Sequence, residues 1–257
     1  MPESVTEPES PSPTQAVDKR LYLAYCDILG FSNLIQNQFD SALEAYRAFA
    51  HLFSDPAHGQ IFPDVRATMY SDAILVTAET LPPVLKAVQN LWFQALVHDL
   101  MIRGAITHGR YWEERKDGHL FVVSDALVRA VKLERTISVP AVVIADDVEI
   151  PEDYWRARFC DDARGQFITP LLHFRDRNIV NPFNIMWGYS AGTRARQLTE
   201  KYPEHKDKYL WFLALYEAVW NRELLIPQSV FARFIEEANQ KTAASLSSEA
   251  TPDSPAA

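Results

Sequence analysis

Two aspartates stand where carboxylates are costly. Asp27 interrupts the apolar run LYLAYCDI, Leu21 to Ile28. Asp72 follows Met69-Tyr70-Ser71 and precedes Ala73-Ile74-Leu75-Val76. An unpaired carboxylate in such surroundings loses several kcal/mol of hydration when buried. On neighbouring strands the two would meet, repel, and need a cation between them. Hard oxygen donors with no His or Cys beside them favour magnesium or manganese over zinc. The plainer alternative is that each accepts hydrogen bonds in a tight turn or pairs with a basic residue. The residues alone leave both readings open.

The flanking segments predict how the aspartates are held. Leu21 to Ile28 is nearly continuously apolar, as in a buried strand. Gly30-Phe31-Ser32-Asn33 turns the chain, with Ser32 or Asn33 capping a helix through Leu34 to Phe53. Ala67 to Thr77 reads as a hairpin around Ser71-Asp72. Pro82 and Pro83 open a helix whose apolar residues recur at three and four. Ile102 to Trp112 reads as strand, Asp125 to Thr136 as helix, and Val139 to Ala145 as strand. This β-α-β-β-α-β order, then αβ, predicts an α+β fold with a ferredoxin-like antiparallel sheet and helices on one face. The predicted organisation is a disordered tail over 1–18, a core over 19–150, an extension over 151–240 and a second tail over 241–257. The extension is expected to be helical from about Ala191 to Asn221, with WFLALYEAVW packed on the core or on a partner chain.

Composition narrows the partners. The chain has 257 residues, 47% of them hydrophobic, enough for a sizeable core. A formal charge of −9 argues against a protein that coats nucleic acid, though a metal can still supply positive charge for a small phosphorylated ligand. Cys26 and Cys160 have no CxxC or Cys/His spacing, so neither a disulfide framework nor a zinc site is predicted. No secretory signal or bilayer-length apolar run is present, and a cytoplasmic protein is expected.

Four segments together carry a resemblance. AYCDILGFSNLI (Ala24 to Ile35) resembles the first-strand signature of class III nucleotidyl cyclases, and MYSDAILV their second metal-binding hairpin. IRGAITHG resembles the family's Arg-x-Gly-Ile-x-x-Gly strand, and the helix ending VKLERT its transition-state segment. The matches fall in the family's order over Leu21 to Asp147. The forms SDAI, RGAI and DAL…KLE look closest to the pyrimidine cyclases of bacterial anti-phage signalling, which make cyclic UMP or cyclic CMP.

The resemblance implies two divalent ions, Mn2+ or Mg2+, held by Asp27 and Asp72 with the Ile28 carbonyl, around a nucleoside triphosphate. It places Gly30, Phe31 and Ser32 at the phosphates, where backbone N–H groups at a helix start can cradle oxygens, and Arg103 on the triphosphate. Arg129 and Lys132, three apart on one helical face, would share the transition-state role. The family's Asn falls at Val128 and its Arg at Lys132, a departure in both places. Ser71 stands where purine cyclases often carry glycine. Thr68 replaces a base-reading lysine, which points toward a pyrimidine, with Tyr70 or Tyr46 filling the space of a purine ring. The expected enzyme is a homodimeric uridylate cyclase using UTP, its product acting on a separate effector. A cytidylate or purine cyclase, or a catalytically silent nucleotide-binding domain, are the alternatives.

Overall fold

The computed structural model describes residues 17–54, 62, 64–117, 119–159, 169–184 and 187–249. The long first strand, β1 (Val17–Leu29), sits in the middle of the sheet. Its side chains alternate as a strand requires: Ala24, Cys26 and Ile28 enter the main core, while Leu21 and Leu23 enter a smaller cluster on the other face. β1 is antiparallel to both β3 (Ala73–Ala78) and β4 (Met101–Lys116), and β2 (Arg66–Tyr70) is antiparallel to β3. The order β2-β3-β1-β4 is the split βαβ arrangement expected from the sequence.

Helices α1 (Phe31–Asn37) and α2 (Phe39–Ser54) connect β1 to β2, and α3 (Leu81–Val97) connects β3 to β4. The apolar stripe of α3 is fully used: Val84, Leu85, Val88, Leu91, Trp92 and Ala95 are all buried. Each large side chain there contributes roughly 1.5–3 kcal/mol.

The helices are not confined to one face. α4 (Asp125–Glu134) crosses the opposite side, setting Ala126 and Ala130 against Leu21, Leu23, Ala105 and Tyr111. The unbroken apolar run of β1 was the signal, because a strand without alternation is covered on both sides.

Beyond residue 150 the chain does more than pack on the core. β6 (Val142–Ile144) runs parallel to β4. Two strands of the extension, β7 (Leu171–Phe174) and β8 (Arg177–Val180), then continue the same sheet beside β6. β5 (His119–Ser124), a hairpin partner of β4, was not anticipated either. The extension adds α5 (Glu152–Phe159), α6 (Gly188–Lys201), α7 (Lys206–Trp220) and α8 (Gln228–Glu249). In α7, Phe212, Leu213, Leu215, Tyr216 and Val219 are buried in the main core.

Both tails need their boundaries corrected. β1 begins at Val17, inside the stretch read as tail, and α8 continues through Glu249. Lys, Ala and Leu are good helix formers, so KTAASLSS extends a helix that Val230 and Phe234 anchor in the core. The rest of both tails, and Cys160, lie outside the described residues. Among those described, no helix is long and apolar enough to cross a membrane.

Candidate active site

Sheet register brings the two aspartates together. Tyr70 pairs with Ala73, Ala73 with Asp27, and Asp27 with Arg103, so one row across β2-β3-β1-β4 shares a face. Asp72 occupies the β2–β3 turn beside that row. Its carbonyl accepts the Ile28 N–H at 2.8 Å, and its carboxylate accepts the Ser32 hydroxyl at 3.0 Å. Ser71 before it adopts φ 54°, the left-handed conformation that glycine takes without strain.

The turn after β1 is built on Gly30, whose φ of 86° starts α1 without a side-chain cap. The helix therefore begins at Phe31, earlier than expected, and Ser32 does not cap it. Its hydroxyl is turned to Asp72 instead. A side chain at Gly30 would meet nothing within 4 Å, so the backbone faces open space there. Phe31 is 2% exposed and stacks on Tyr46 in the core, so only its backbone can serve a ligand. Ile28 is likewise buried, leaving its carbonyl as the one group it could offer.

Arg103 links two carboxylates of the site. It donates to Asp27 at 3.1 Å and to the Ile137 carbonyl at 3.1 Å, and its Nε lies 2.5 Å from Glu134. That last contact is an ion pair off hydrogen-bond geometry. Burial raises the Asp27 carboxyl above its ordinary range; Arg103 opposes the shift and Asp72 adds to it. Burial raises Glu134 too, against Arg103. A cation near Asp27 is thus electrostatically favoured.

The donor set suits a hard cation. Two carboxylates and a backbone carbonyl match magnesium or manganese, which keep waters and take substrate phosphates as further ligands. Among the described residues no cluster of three or more His, Cys, Asp or Glu that could hold a metal ion forms.

The remaining candidates divide. Thr68 is half-buried, paired with Leu75 in the row next to that of Asp27. Tyr70 is 82% exposed. Tyr46, by contrast, is on α2 and packs against the main core and Phe31, away from the face that carries Asp27. Arg129 is paired with Asp147 and donates to the His108 carbonyl, so it is not free for phosphate as the structure stands. Lys132 is exposed on α4. His108 stacks on Tyr22, as scaffolding does.

Glu134 was missed as a site residue. An acid in a helix's last turn opposes the helix dipole, and that mismatch was its only local signal. Gly104, beside Arg103, has a packing reason: a Cβ there would strike the Tyr25 carbonyl.

No protein-family profile matches the chain, and no curated protein matches it in sequence. Among solved structures it is similar to the adenylyl cyclase CyaB from P. aeruginosa, with TM-score 0.41, 14% identity and coverage of 52% of this chain and 80% of that one. It is similar to a dimeric guanylyl cyclase domain of the RhoGC fusion protein from the aquatic fungus Blastocladiella emersonii, with TM-score 0.42, 14% identity, 65% and 96%. A third is the guanylate cyclase domain of RhGC from Catenaria anguillulae in complex with GTP, with TM-score 0.39, 13% identity, 52% and 81%. At these scores the likeness assigns this chain no base, no metal and no assembly.

Proposed function

We propose that the protein is a nucleotide cyclase that converts UTP to 3′,5′-cyclic UMP and pyrophosphate. One observation carries the reading. The Ile28–Asp72 backbone bond and the Asp27 register set two carboxylates at one sheet end, beside the open Gly30 turn. When bound, two divalent ions would activate the ribose 3′-hydroxyl and hold the triphosphate. Asp27 and Asp72 would hold them, with Ser32 fixing the Asp72 carboxylate. Glu134 and the Ile137 carbonyl keep the Arg103 guanidinium in place when Asp27 turns to metal, leaving Arg103 to meet phosphate.

The same reading calls for two copies of the chain. α4 packs on β1 and β4, while Thr68, Leu75 and Tyr70 on that face of β2 and β3 stay partly or fully exposed. A twofold partner there would bring its own Lys132 and Arg129 to the site. The wording of SDAI and RGAI favours a pyrimidine product, a role in defence against phage, and a separate effector that the product activates.

A catalytically silent nucleotide binder is the second reading, favoured by the Arg129–Asp147 pair. Incubating the protein with each of the four NTPs and Mn2+, with products identified by mass, separates the two. Cyclic UMP is expected; the absence of any cyclic product would leave the binder.

A further inference from the structure

Resting on the cyclase reading, we propose that the C-terminal extension supplies a phosphate contact. Lys208 holds the terminal phosphates of the substrate, and then the departing pyrophosphate, in the cavity between the β1–α1 turn and α7.

The cavity measures about 240 Å3, with Gly30, Asn33 and Asn37 on one wall and His205, Lys208 and Tyr209 on the other. That is smaller than the ~300–1,000 Å3 of sites that enclose a whole drug-sized ligand, so it suits part of a nucleotide. Gly30, which lines the cavity, belongs to the turn that follows Asp27 and leads to Ser32, the donor to Asp72. The Asn33 amide offers neutral donors to phosphate oxygens; the Asn37 amide already donates one N–H to the Asn33 carbonyl, at 2.9 Å, and has one left.

Lys208 is half-buried and has no ion pair or hydrogen bond among the described residues. Glu204, on the rim, is exposed. Asp99, which also lines the cavity, is already taken by Arg194 and by Lys201 at 2.6 Å. A half-buried ammonium without a partner is disfavoured until an anion arrives. Arg129 is paired with Asp147, and Arg103 is shared between Asp27 and Glu134. Lys208 adds to Arg103 a second cation, one with no carboxylate partner among the described residues.

The lysine is also well supported. Arg194 donates to the carbonyls of Leu96 and Val97 at the end of α3, and with Lys201 it pins the extension to Asp99, just before β4. In the reaction the 3′-oxygen bonds to the α-phosphorus and its proton leaves to solvent. The bond to the α,β-bridging oxygen breaks, and its electron pair departs on pyrophosphate. Charge therefore grows on the fragment that Lys208 faces, where a fixed cation acts most strongly.

The test titrates inorganic pyrophosphate with Mg2+ into wild type, Lys208→Ala and Lys206→Ala by calorimetry, alongside UTP kinetics. Lys206, exposed on the same helix turn, controls for general charge. Lys208→Ala should weaken pyrophosphate binding about tenfold or more and raise the KM for UTP in step. Lys206→Ala should do neither, and Lys208→Arg should restore most of the binding. Lys208→Gln replaces the alanine variant if melting shows that one misfolded. Equal pyrophosphate affinity in wild type and Lys208→Ala, or no pyrophosphate binding by wild type, overturns the proposal. A wild type that binds pyrophosphate through Lys208 but cyclises none of the four NTPs would sink the cyclase reading alone.

Discussion

Arg103 lies between Asp27 and Glu134 and contacts both, at 3.1 and 2.5 Å. One guanidinium thus keeps two half-buried or buried carboxylates from facing each other unscreened. Arg103→Ala should destabilise the fold by about 3 kcal/mol, more than Glu134→Ala, because it leaves two like charges, whereas Glu134→Ala leaves Arg103 still paired with Asp27. Both carboxyls sit above their ordinary values of 3.8 and 4.5, so the folded chain binds protons more readily than the unfolded one. Stability from these groups is therefore lost as pH rises through that window. The deficit of Arg103→Ala should shrink at pH 5 relative to pH 8. Urea melts at the two pH values read this, and an Arg103→Ala protein as stable as wild type at pH 8 would refute it.

Asp27→Ala and Asp72→Ala should each reduce cyclase turnover to background while the far-ultraviolet dichroism stays native. Ser32→Ala, which only unfixes the Asp72 carboxylate, should cost about 10–100-fold, as for groups that orient metal ligands. Near-wild-type turnover with Mn2+ in either aspartate variant means the metal assignment is wrong.

Mixing inactive Asp27→Ala with inactive Lys132→Ala should partly restore activity, since one hybrid site in the dimer would be whole. Failure to complement, in a mixture shown to exchange subunits, argues that one chain carries a complete site.

UTP should be the preferred substrate, CTP the nearest competitor, and ATP and GTP poor. Tyr70→Ala should raise relative purine turnover with a stability change within about 0.5 kcal/mol, since the side chain is largely solvent-exposed in one chain. Faster conversion of ATP than UTP by wild type would end the pyrimidine reading.

Cys26 is fully buried, and that burial pushes its thiol up to about 12. At pH 8 only about one molecule in 10,000 would carry the reactive thiolate. In a Cys160→Ser background, iodoacetamide should label Cys26 only after urea unfolds the chain. Rapid labelling of the native protein at pH 8 would contradict the burial.

Much of the candidate site is legible in the sequence because its chemistry is local. Asp27 and Asp72 stood out as charges in apolar strands, and the Gly30 turn follows Asp27 directly. The β-hairpin around Asp72 and the stripe of α3 follow from periodicity. Glu134 and Lys208 were not readable, because each reaches the site only through the packing of a distant helix. The strands of the extension are four residues each, too short for a periodic signal to separate them from loop. Tyr70 is expected from the sequence to fill the space of a purine ring, and its 82% exposure could not be read there. It is exposed because it ends β2, with the turn immediately after it.

β6 is three residues long and is held on both sides, by β4 and by β8. A fragment ending at residue 150 would keep both aspartates and Arg103 yet strip away β8. Val142, Val143 and Ile144, all buried in the intact chain, would then front an unpaired sheet edge. Such edges recruit other chains. Trimming the gene to the part that carries the aspartates would therefore yield inclusion bodies rather than a minimal enzyme.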